Sequence, residues 1–292
     1  MLLTAVYDLA VSPPTFDFVA FLVSAERRRL EIGADALEVV LMPGPAGGFR
    51  ADQLPPFTVE ARLGMRRNIV EAMCALLPSC RSIWILDVRH ALNREQVFPV
   101  GYRVEDPISH YGTRRMIECI SPDFAPLTTA LPASRSSRVV SFSMRESSYW
   151  PTRNVCRKAW LEAARVLDRK GFEVAIIPDI DAPAFPDGPW TVNHVAATDL
   201  MERARVYETA AVNLFVASGP MCMALFMKRA RSVVVRMEFD GAPCTNAGFL
   251  AASGLPPGSQ LDRPEFHIAW AKEETPEIIV RCAEHSFERM AA

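Results

Sequence analysis

The chain has 292 residues, of which 50% are hydrophobic and 23% charged, with a net charge of -2 at pH 7. This length suits two domains of ordinary size, and the composition is that of a globular protein, which excludes disordered and fibrous classes. The balanced charge lacks the basic surface of a general nucleic-acid binder, so we expect no nucleic-acid partner.

Cysteine usage and hydropathy favour a cytoplasmic protein. The seven cysteines are odd in number and form no C-x-x-C pair, so neither a disulfide framework nor a zinc site is predicted. No basic segment precedes the first apolar run, and the apolar stretch over residues 16–23 is too short to span a bilayer. We therefore expect no signal peptide, and contact with the inner membrane face only through the protein surface.

Strands and helices alternate in the first half of the chain. The predicted order is strand, helix, strand, helix and buried strand, over residues 2–11, 16–29, 36–42, 59–77 and 82–88. Buried strands separated by helices are typical of a parallel sheet covered on both faces. One more helical segment is predicted near residues 114–120.

A proline-rich segment separates the two halves. Residues 122–136 contain three prolines and several serine and threonine residues, which cannot continue a helix or a central strand. We predict that this segment links an N-terminal domain of residues 1–125 to a C-terminal domain of residues 136–292.

The second half repeats the alternation. Strands are predicted over residues 138–144, 172–178, 212–217, 232–237 and 266–270, and helices over residues 155–170, 199–210, 220–228 and 276–290. The expected fold class is α/β, with two Rossmann-like parallel-sheet domains that face a cleft.

The turn at Ser218, Gly219 and Pro220 follows a buried strand and opens a helix. Proline is well tolerated in a first helical turn, and the free N–H groups there favour a phosphate. Ser218 can add its hydroxyl to the same anion, and Met221 is the next residue of the turn. The alternative is a structural turn that binds nothing.

The loop of residues 144–154 follows the first strand of the second half, so it lies at the same edge of the sheet. Arg145 and Arg153, with Ser147 and Asn154, have the donors of a phosphate clamp. The alternatives are a plain helix cap for Asn154 and solvated charge for the two arginines.

A helix over residues 199–210 carries Glu208, a carboxylate suited to bind ribose hydroxyls. The alternative is an ordinary surface ion pair with Arg205.

Polar side chains also crowd the first strand-to-helix turn, at Asp8, Ser12, Thr15 and Asp17. An open α/β sheet binds its ligand at such a turn. Ser12 and Thr15 are therefore predicted to contact a substrate that carries a hydroxyl, called the acceptor. Asp8 or Asp17 is predicted to be the catalytic base that takes a proton from an acceptor hydroxyl. Asp17 has the alternative of only complementing the start of the helix.

Several common sites are missing from the sequence. The five histidines lack metal-ligand spacing, and there is no P-loop, no G-x-G-x-x-G and no G-x-S-x-G. A metal site, an ATPase, a standard dehydrogenase and an α/β-hydrolase are therefore not predicted.

The second half resembles the nucleotide-binding domain of two-Rossmann (GT-B type) glycosyltransferases, especially bacterial surface-polysaccharide enzymes related to the heptosyltransferases. The resemblance rests on FSMRESSYWPTRN, VAIIPD, RVYETAAVN and the Ser-Gly-Pro-Met turn, within residues 138–237. It implies that the C-terminal domain holds a nucleotide sugar and that the N-terminal domain holds the acceptor. It also implies that Glu208 lies near the ribose. The residues it implies near the phosphates are Arg145, Arg153, Ser218, Gly219, Pro220 and Met221.

We therefore expect a metal-independent glycosyltransferase that needs no cofactor beyond its nucleotide-sugar substrate. Its acceptor is expected to be a hydroxyl of a bacterial surface glycan or glycolipid. Two alternatives remain: a nucleotide-sugar epimerase of the same fold, and a non-catalytic protein that binds nucleotide sugars and has lost the base.

Overall fold

The computed structural model describes residues 1–52, 57–130, 134–136 and 138–291. Its contacts divide the chain into two units, Met1–Cys119 and Ile120–Ala292. Residues 131–133 of the predicted linker lie outside the described residues, and the described part of that segment belongs to the second unit.

In the described part of the first unit, four strands form one parallel sheet in the order β3-β2-β1-β4. The strands are β1 (Leu2–Asp8), β2 (Ala36–Met42), β3 (Cys80–Ile85) and β4 (Val97–Phe98). The helices are α1 (Phe18–Glu31), α2 (Val59–Met65), α3 (Ala72–Ala75) and α4 (Thr113–Glu118). The central strands β1 and β2 are almost entirely buried because helices and loops cover both of their faces.

The prediction of a buried strand over residues 82–88 is wrong in one respect. The strand is present as β3, but it lies at the edge of the sheet, and Trp84 is 53% exposed. An apolar run shows that a segment has β propensity, but it does not show whether strands pair on both of its sides.

The helix predicted over residues 59–77 has a π-helical middle, Arg66–Glu71, between α2 and α3. Arg66 Nε donates to Glu71 Oε1 at 3.0 Å, five positions further along the chain. This spacing matches the longer repeat of a π-helix, which periodicity at 3.6 residues does not reveal.

A long irregular segment, rather than a helix, covers part of the first sheet. Side chains between residues 86 and 104 pack on a buried cluster of Val6, Val40 and Met42. They are Leu86, Leu92, Val97, Tyr102 and Val104. Strand β4 lies in this segment and is too short to stand out in the sequence.

In the described part of the second unit, six strands form one parallel sheet in the order β10-β9-β8-β5-β6-β7. The strands are β5 (Val139–Ser143), β6 (Glu173–Ile177), β7 (Trp190–Val192), β8 (Val212–Val216), β9 (Ser232–Arg236) and β10 (Phe266–Ile268). The helices are α5 (Arg157–Arg169), α6 (Val195–Thr198), α7 (Leu200–Thr209), α8 (Gly219–Leu225), α9 (Ala247–Ala252) and α10 (Pro276–Ala291). The predicted α/β class with two Rossmann-like parallel sheets is confirmed.

Three elements of the second unit are missing from the sequence prediction: β7, α6 and α9. Each has six residues or fewer, and β7 is an edge strand next to a proline-rich and glycine-rich stretch. Segments this short have too few residues for a periodic pattern to show.

The described linker residues contact the segment that follows α8 in the second unit. Leu127 forms a parallel bridge with Met227, and its N–H donates to the Phe226 carbonyl at 3.0 Å. The segment therefore continues the fold of the second unit up to residue 130. No helix in the described ranges is long and apolar enough to cross a bilayer.

Candidate functional site

The strand order of the second sheet creates a switch point beside β5. The chain leaves β5 for β6 on one side and later returns to β8 on the other side. Because all these strands are parallel, the loops after β5 and β8 emerge at the same edge of the sheet. Open α/β sheets bind their ligands at such a point, so these loops form the candidate site.

The turn after β8 carries a buried hydroxyl without a partner. Ser218 is the N-cap residue of α8, but its side chain does not cap the helix. Its Oγ is buried, with no hydrogen-bond partner among the described residues. Gly219 is the first helical residue and Pro220 the second, so the predicted strand, turn and helix are present with the proline one position later than expected. Met221 follows and is buried.

Arg153 joins the loop after β5 to this turn. It ends a 3₁₀ helix over Pro151–Arg153, and its Nη2 donates to the Ala217 carbonyl at 2.8 Å. Its Nη1 donates to the Cys244 sulfur at 3.3 Å, whereas its buried Nε has no partner in the described chain. The guanidinium therefore lies beside the turn at Ser218 with one donor unused.

The loop of residues 239–246, after β9, adds a third unpaired group. A Cβ on Gly241 would lie 3.5 Å from the Thr152 side chain, so this loop contacts the loop after β5. The buried Thr245 Oγ1, next to Cys244, has no partner within the described ranges. A buried polar atom without a partner costs about 1–3 kcal/mol. Three such atoms lie on three neighbouring loops at this edge of the sheet.

The fourth buried atom without a partner in the described chain is Ser232 Oγ. It lies at the start of β9, at the opposite edge of the sheet, and is not part of this site.

Arg145 supports the loop after β5 from within. Its Nη1 donates to the Trp150 carbonyl at 3.0 Å and to Asn154 Oδ1, and its Nη2 donates to the Tyr149 carbonyl. Burial, and then repulsion from Arg153, lowers the pKa of Arg145 to about 10, so the side chain remains charged at neutral pH.

Ser147 and Asn154 complete this support. Asn154 Oδ1 accepts from the Ser147 N–H, and Asn154 Nδ2 donates back to the Ser147 carbonyl, both at 3.0 Å. The alternative of a plain helix cap by Asn154 is not observed, because Cys156 occupies the N-cap of α5. Of the four predicted clamp residues, the structure places Arg153 beside the turn and uses the other three inside the loop.

Glu274 occupies the start of α5, which the sequence analysis did not predict. Its Oε2 accepts from the Cys156 N–H at 3.0 Å and from Trp160 Nε1 at 2.6 Å. Its side chain is 1% exposed, and burial raises the pKa of this carboxyl. A carboxylate of the protein therefore already fills this helix terminus.

Glu208 is buried and binds the linker segment just before residue 131. It accepts hydrogen bonds from the Thr128 hydroxyl at 3.0 Å, from the Thr129 N–H at 3.3 Å and from the Thr129 hydroxyl. The alternative of a surface ion pair between Glu208 and Arg205 is not observed, because Arg205 pairs with Glu202 at 3.4 Å.

In the first unit, Asp8 is enclosed by donors. Arg89 donates to both carboxylate oxygens at 2.8 and 2.7 Å, Tyr102 at 2.6 Å and the Ala10 N–H at 2.9 Å. The Asp8 side chain is 0% exposed. Burial, together with Asp8, raises the pKa of Tyr102, so that hydroxyl stays protonated as a donor.

Asp17 differs from Asp8 in exposure. It is an exposed residue at the N-cap of α1, does not cap the helix, and accepts from Thr15 Oγ1 at 2.9 Å. Ser12 is buried, and its N–H donates to the Asp8 carbonyl at 2.9 Å. The two predicted base candidates thus have opposite surroundings, one enclosed and one open to solvent.

Arg50, a charged residue that the sequence did not single out, pairs with Asp52 and donates to the Tyr111 hydroxyl at 3.4 Å. Burial and the Asp17 charge raise the pKa of buried Tyr7, and the Arg50 charge lowers it. Arg62 donates to the Arg50 carbonyl at 3.1 Å and so stabilises the loop that carries Arg50. Nothing in the sequence spacing indicated that Asp17 and Arg50 both act on Tyr7.

The described part of the chain contains no group of three or more His, Cys, Asp or Glu side chains that could hold a metal ion. All seven cysteines are free thiols.

Comparison with known proteins identifies the fold. No protein-family model and no curated protein sequence matches the chain. The structure of a glycosyl transferase family 9 protein from Veillonella parvula is similar, with a TM-score of 0.51, 8% identity, and coverage of 98% of this chain and 97% of that one. The chain therefore has the two-sheet α/β fold of GT-B type glycosyltransferases.

Two Escherichia coli structures are also similar, at lower scores. Heptosyltransferase WaaC, solved with ADP-2-deoxy-2-fluoro heptose, has a TM-score of 0.45 and 12% identity, with full coverage of both chains at 100%. The dodecameric, iron-containing glycosyltransferase TibC has a TM-score of 0.44 and 15% identity, over 80% of this chain and 59% of that one.

The enclosure of Asp8 predicts a structural role for its charge. Asp8→Asn should lower the free energy of unfolding by about 3 kcal/mol, because it leaves Arg89 without its counter-charge. Glu118→Gln removes an exposed ion pair of the same unit and should cost less than about 1 kcal/mol. Urea denaturation measures both, and equal losses would contradict this role.

The contacts of Arg145 predict that it rigidifies the loop after β5. Arg145→Ala should cost about 2 kcal/mol, because three acceptors lose a charged donor. It should also speed amide hydrogen exchange in residues 145–154. Arg205→Ala, on an exposed ion pair, is the matched control and should change neither quantity. Unchanged exchange in Arg145→Ala would show that the loop holds its conformation without this side chain.

Proposed function

We propose that the protein is a glycosyltransferase whose second unit binds the phosphates of a nucleotide-sugar donor at the turn after β8. The observation that supports this most is the set of unpaired buried atoms: Arg153 Nε, Ser218 Oγ and Thr245 Oγ1. They lie on loops at the carboxyl edge of a Rossmann-like sheet, where such folds take nucleotides.

Arg153 is proposed to stabilise the charge of the leaving phosphate. When the bond between the sugar and the phosphate breaks, negative charge develops on the phosphate oxygens. A guanidinium held in place by the Ala217 carbonyl can receive that charge through its free Nε without rearrangement. The Ser218 hydroxyl and the N–H groups of the turn add neutral donors. These groups support a metal-independent mechanism.

Asp17 is proposed as the base in the first unit. The acceptor hydroxyl gives its proton to the Asp17 carboxylate while its oxygen bonds to the anomeric carbon, and the nucleotide leaves with the electrons of the broken bond. Asp17 is exposed, whereas Asp8 is enclosed by Arg89 and Tyr102. We therefore favour Asp17 and assign Asp8 to the support of the strand end. Thr15 then holds the Asp17 carboxylate by its hydrogen bond, and Ser12 lies on the acceptor side.

The remaining predicted site residues are proposed to shape the donor site. Arg145, Ser147 and Asn154 fix the loop that carries Arg153. Glu208 is proposed to act near the ribose only through the Thr128 and Thr129 segment, since its carboxylate already accepts from both threonines.

The proposed acceptor is a hydroxyl of a bacterial surface glycan or glycolipid. A lipid-linked acceptor requires the protein to work at the cytoplasmic face of the membrane, as a peripheral protein.

Donor binding is tested by calorimetric titration with UDP, ADP, GDP and CMP. At least one nucleotide should bind, and Arg153→Ala should weaken it by at least about tenfold through loss of a charge-assisted contact. Ser218→Ala should weaken it less, because a neutral donor is lost. Arg205→Ala, on the same unit, should have no effect. If no nucleotide binds, or if Arg153→Ala binds equally well, the phosphate site is refuted.

Catalysis is tested by the slow hydrolysis of a bound donor in the absence of acceptor. Asp17→Asn should lower this rate by about 10²–10⁴, the usual contribution of a general base, without changing nucleotide affinity. Asp35→Asn, an exposed carboxylate before β2, is the control and should keep the wild-type rate. A full rate in Asp17→Asn would refute this base. Release of an epimerised sugar would instead identify an epimerase, and binding without turnover would identify a non-catalytic protein.

A further inference from the structure

The loop after β5 presents a stacked aromatic pair in a strained conformation. The rings of Tyr149 and Trp150 lie 4.7 Å apart at an angle of 20°. Trp150 has φ 53° and ψ 67°, in the left-handed region, which a large side chain rarely adopts. Such strain persists only where surrounding contacts impose it, and it concentrates at functional sites.

The contacts that impose this conformation come from both ends of the loop. The Arg145 guanidinium donates to the carbonyls of both aromatic residues. The Ser147 hydroxyl accepts from the Tyr149 N–H at 3.1 Å, and the Arg153 N–H donates to the Trp150 carbonyl at 3.1 Å. The pair is therefore held in place before any ligand arrives.

Trp150 keeps an unused donor and an incompletely covered ring. Both residues of the pair are half-buried, and the Trp150 indole N–H has no acceptor in the part of the chain that the structure describes. By contrast, the indole N–H groups of Trp160 and Trp270 donate to Glu274 and the Ser259 carbonyl, both at 2.6 Å.

The neighbours of the pair are hydroxyl and carboxylate groups. Ser148 Oγ donates to Asp181 Oδ2 at 2.9 Å, and the Glu146 N–H donates to Asp179 Oδ2 at 3.3 Å. Carboxylates and hydroxyls are the groups that accept hydrogen bonds from sugar hydroxyls, while an aromatic face packs on the C–H face of a sugar ring.

We infer that the Tyr149–Trp150 pair is a subsite for the sugar ring of the nucleotide-sugar donor. This rests on the proposed function, since one 3₁₀ turn connects Trp150 to the phosphate-binding Arg153. The sugar ring packs on the aromatic pair, the indole N–H donates to a sugar oxygen, and the acidic neighbours accept from its hydroxyls. The many nearby acceptors favour a sugar over a nucleobase, which has few donors.

The test compares affinities for diphosphates and for their sugar conjugates. Wild type and Trp150→Asn are titrated with UDP and UDP-glucose, ADP and ADP-glucose, and GDP and GDP-mannose. Asparagine tolerates the left-handed backbone and removes the ring. The variant should bind the sugar conjugate that wild type binds most tightly with about tenfold lower affinity, a loss typical of one stacking contact. It should bind the corresponding diphosphate with the affinity of wild type. Trp150→Phe, which keeps an aromatic face, should recover most of the lost affinity.

The matched control is Trp270→Asn, because Trp270 has φ 55° in the same unit and its indole already has a partner. It should change neither affinity. If Trp150→Asn does not fold, as judged by thermal unfolding, Trp150→Leu is compared with Trp150→Phe in the same titrations.

Two outcomes overturn the sugar subsite alone. Equal weakening of diphosphate and conjugate would show that the pair stacks on the base or only supports the loop. Unchanged affinity for both would show that it touches no part of the donor. If wild type binds neither these six compounds nor CMP, the proposed function fails together with this inference.

Discussion

The hydrogen bond from the Arg153 guanidinium to the Ala217 carbonyl ties together the two loops on which the candidate site depends. The parallel sheet brings the ends of β5 and β8 side by side, but strand order alone leaves their loops free to diverge. This contact fixes a cation beside the turn at Ser218, where Arg153 Nε and Ser218 Oγ are both buried without a partner among the described residues. An anion would satisfy both groups, and the free energy lost by burying them unpaired would be recovered on binding.

The arginines and carboxylates of the second unit divide into supporting and available groups. Arg145 donates to its own loop through both Nη atoms, and Glu274 already fills the start of α5. Because Arg145 and the start of α5 already have partners within the protein, both are poor candidates to bind a phosphate. The proposed phosphate site is instead the short helix start after β8, together with Arg153. In the first unit, Asp8 forms an enclosed ion pair that supports the strand end, whereas Asp17 is exposed and accepts from Thr15.

Much of this fold could be predicted from the sequence, because its central strands are continuous apolar runs bounded by turn residues. The turn at Ser218 was also readable, since glycine and proline mark the start of a helix. The partners of buried charges were not. Glu274 meets Cys156 across 118 positions, and Arg89 meets Asp8 across 81, so neither pair leaves a local pattern. Edge position is likewise a property of the whole sheet, which is why β3 was expected to be buried.

The most direct test of the central claim is a crystal structure with the nucleoside diphosphate that binds most tightly. The account predicts that the phosphates lie at the turn after β8, within hydrogen-bond distance of Arg153 Nε and Ser218 Oγ. A nucleotide bound at another edge of the sheet, with these two atoms still unpaired, would contradict it.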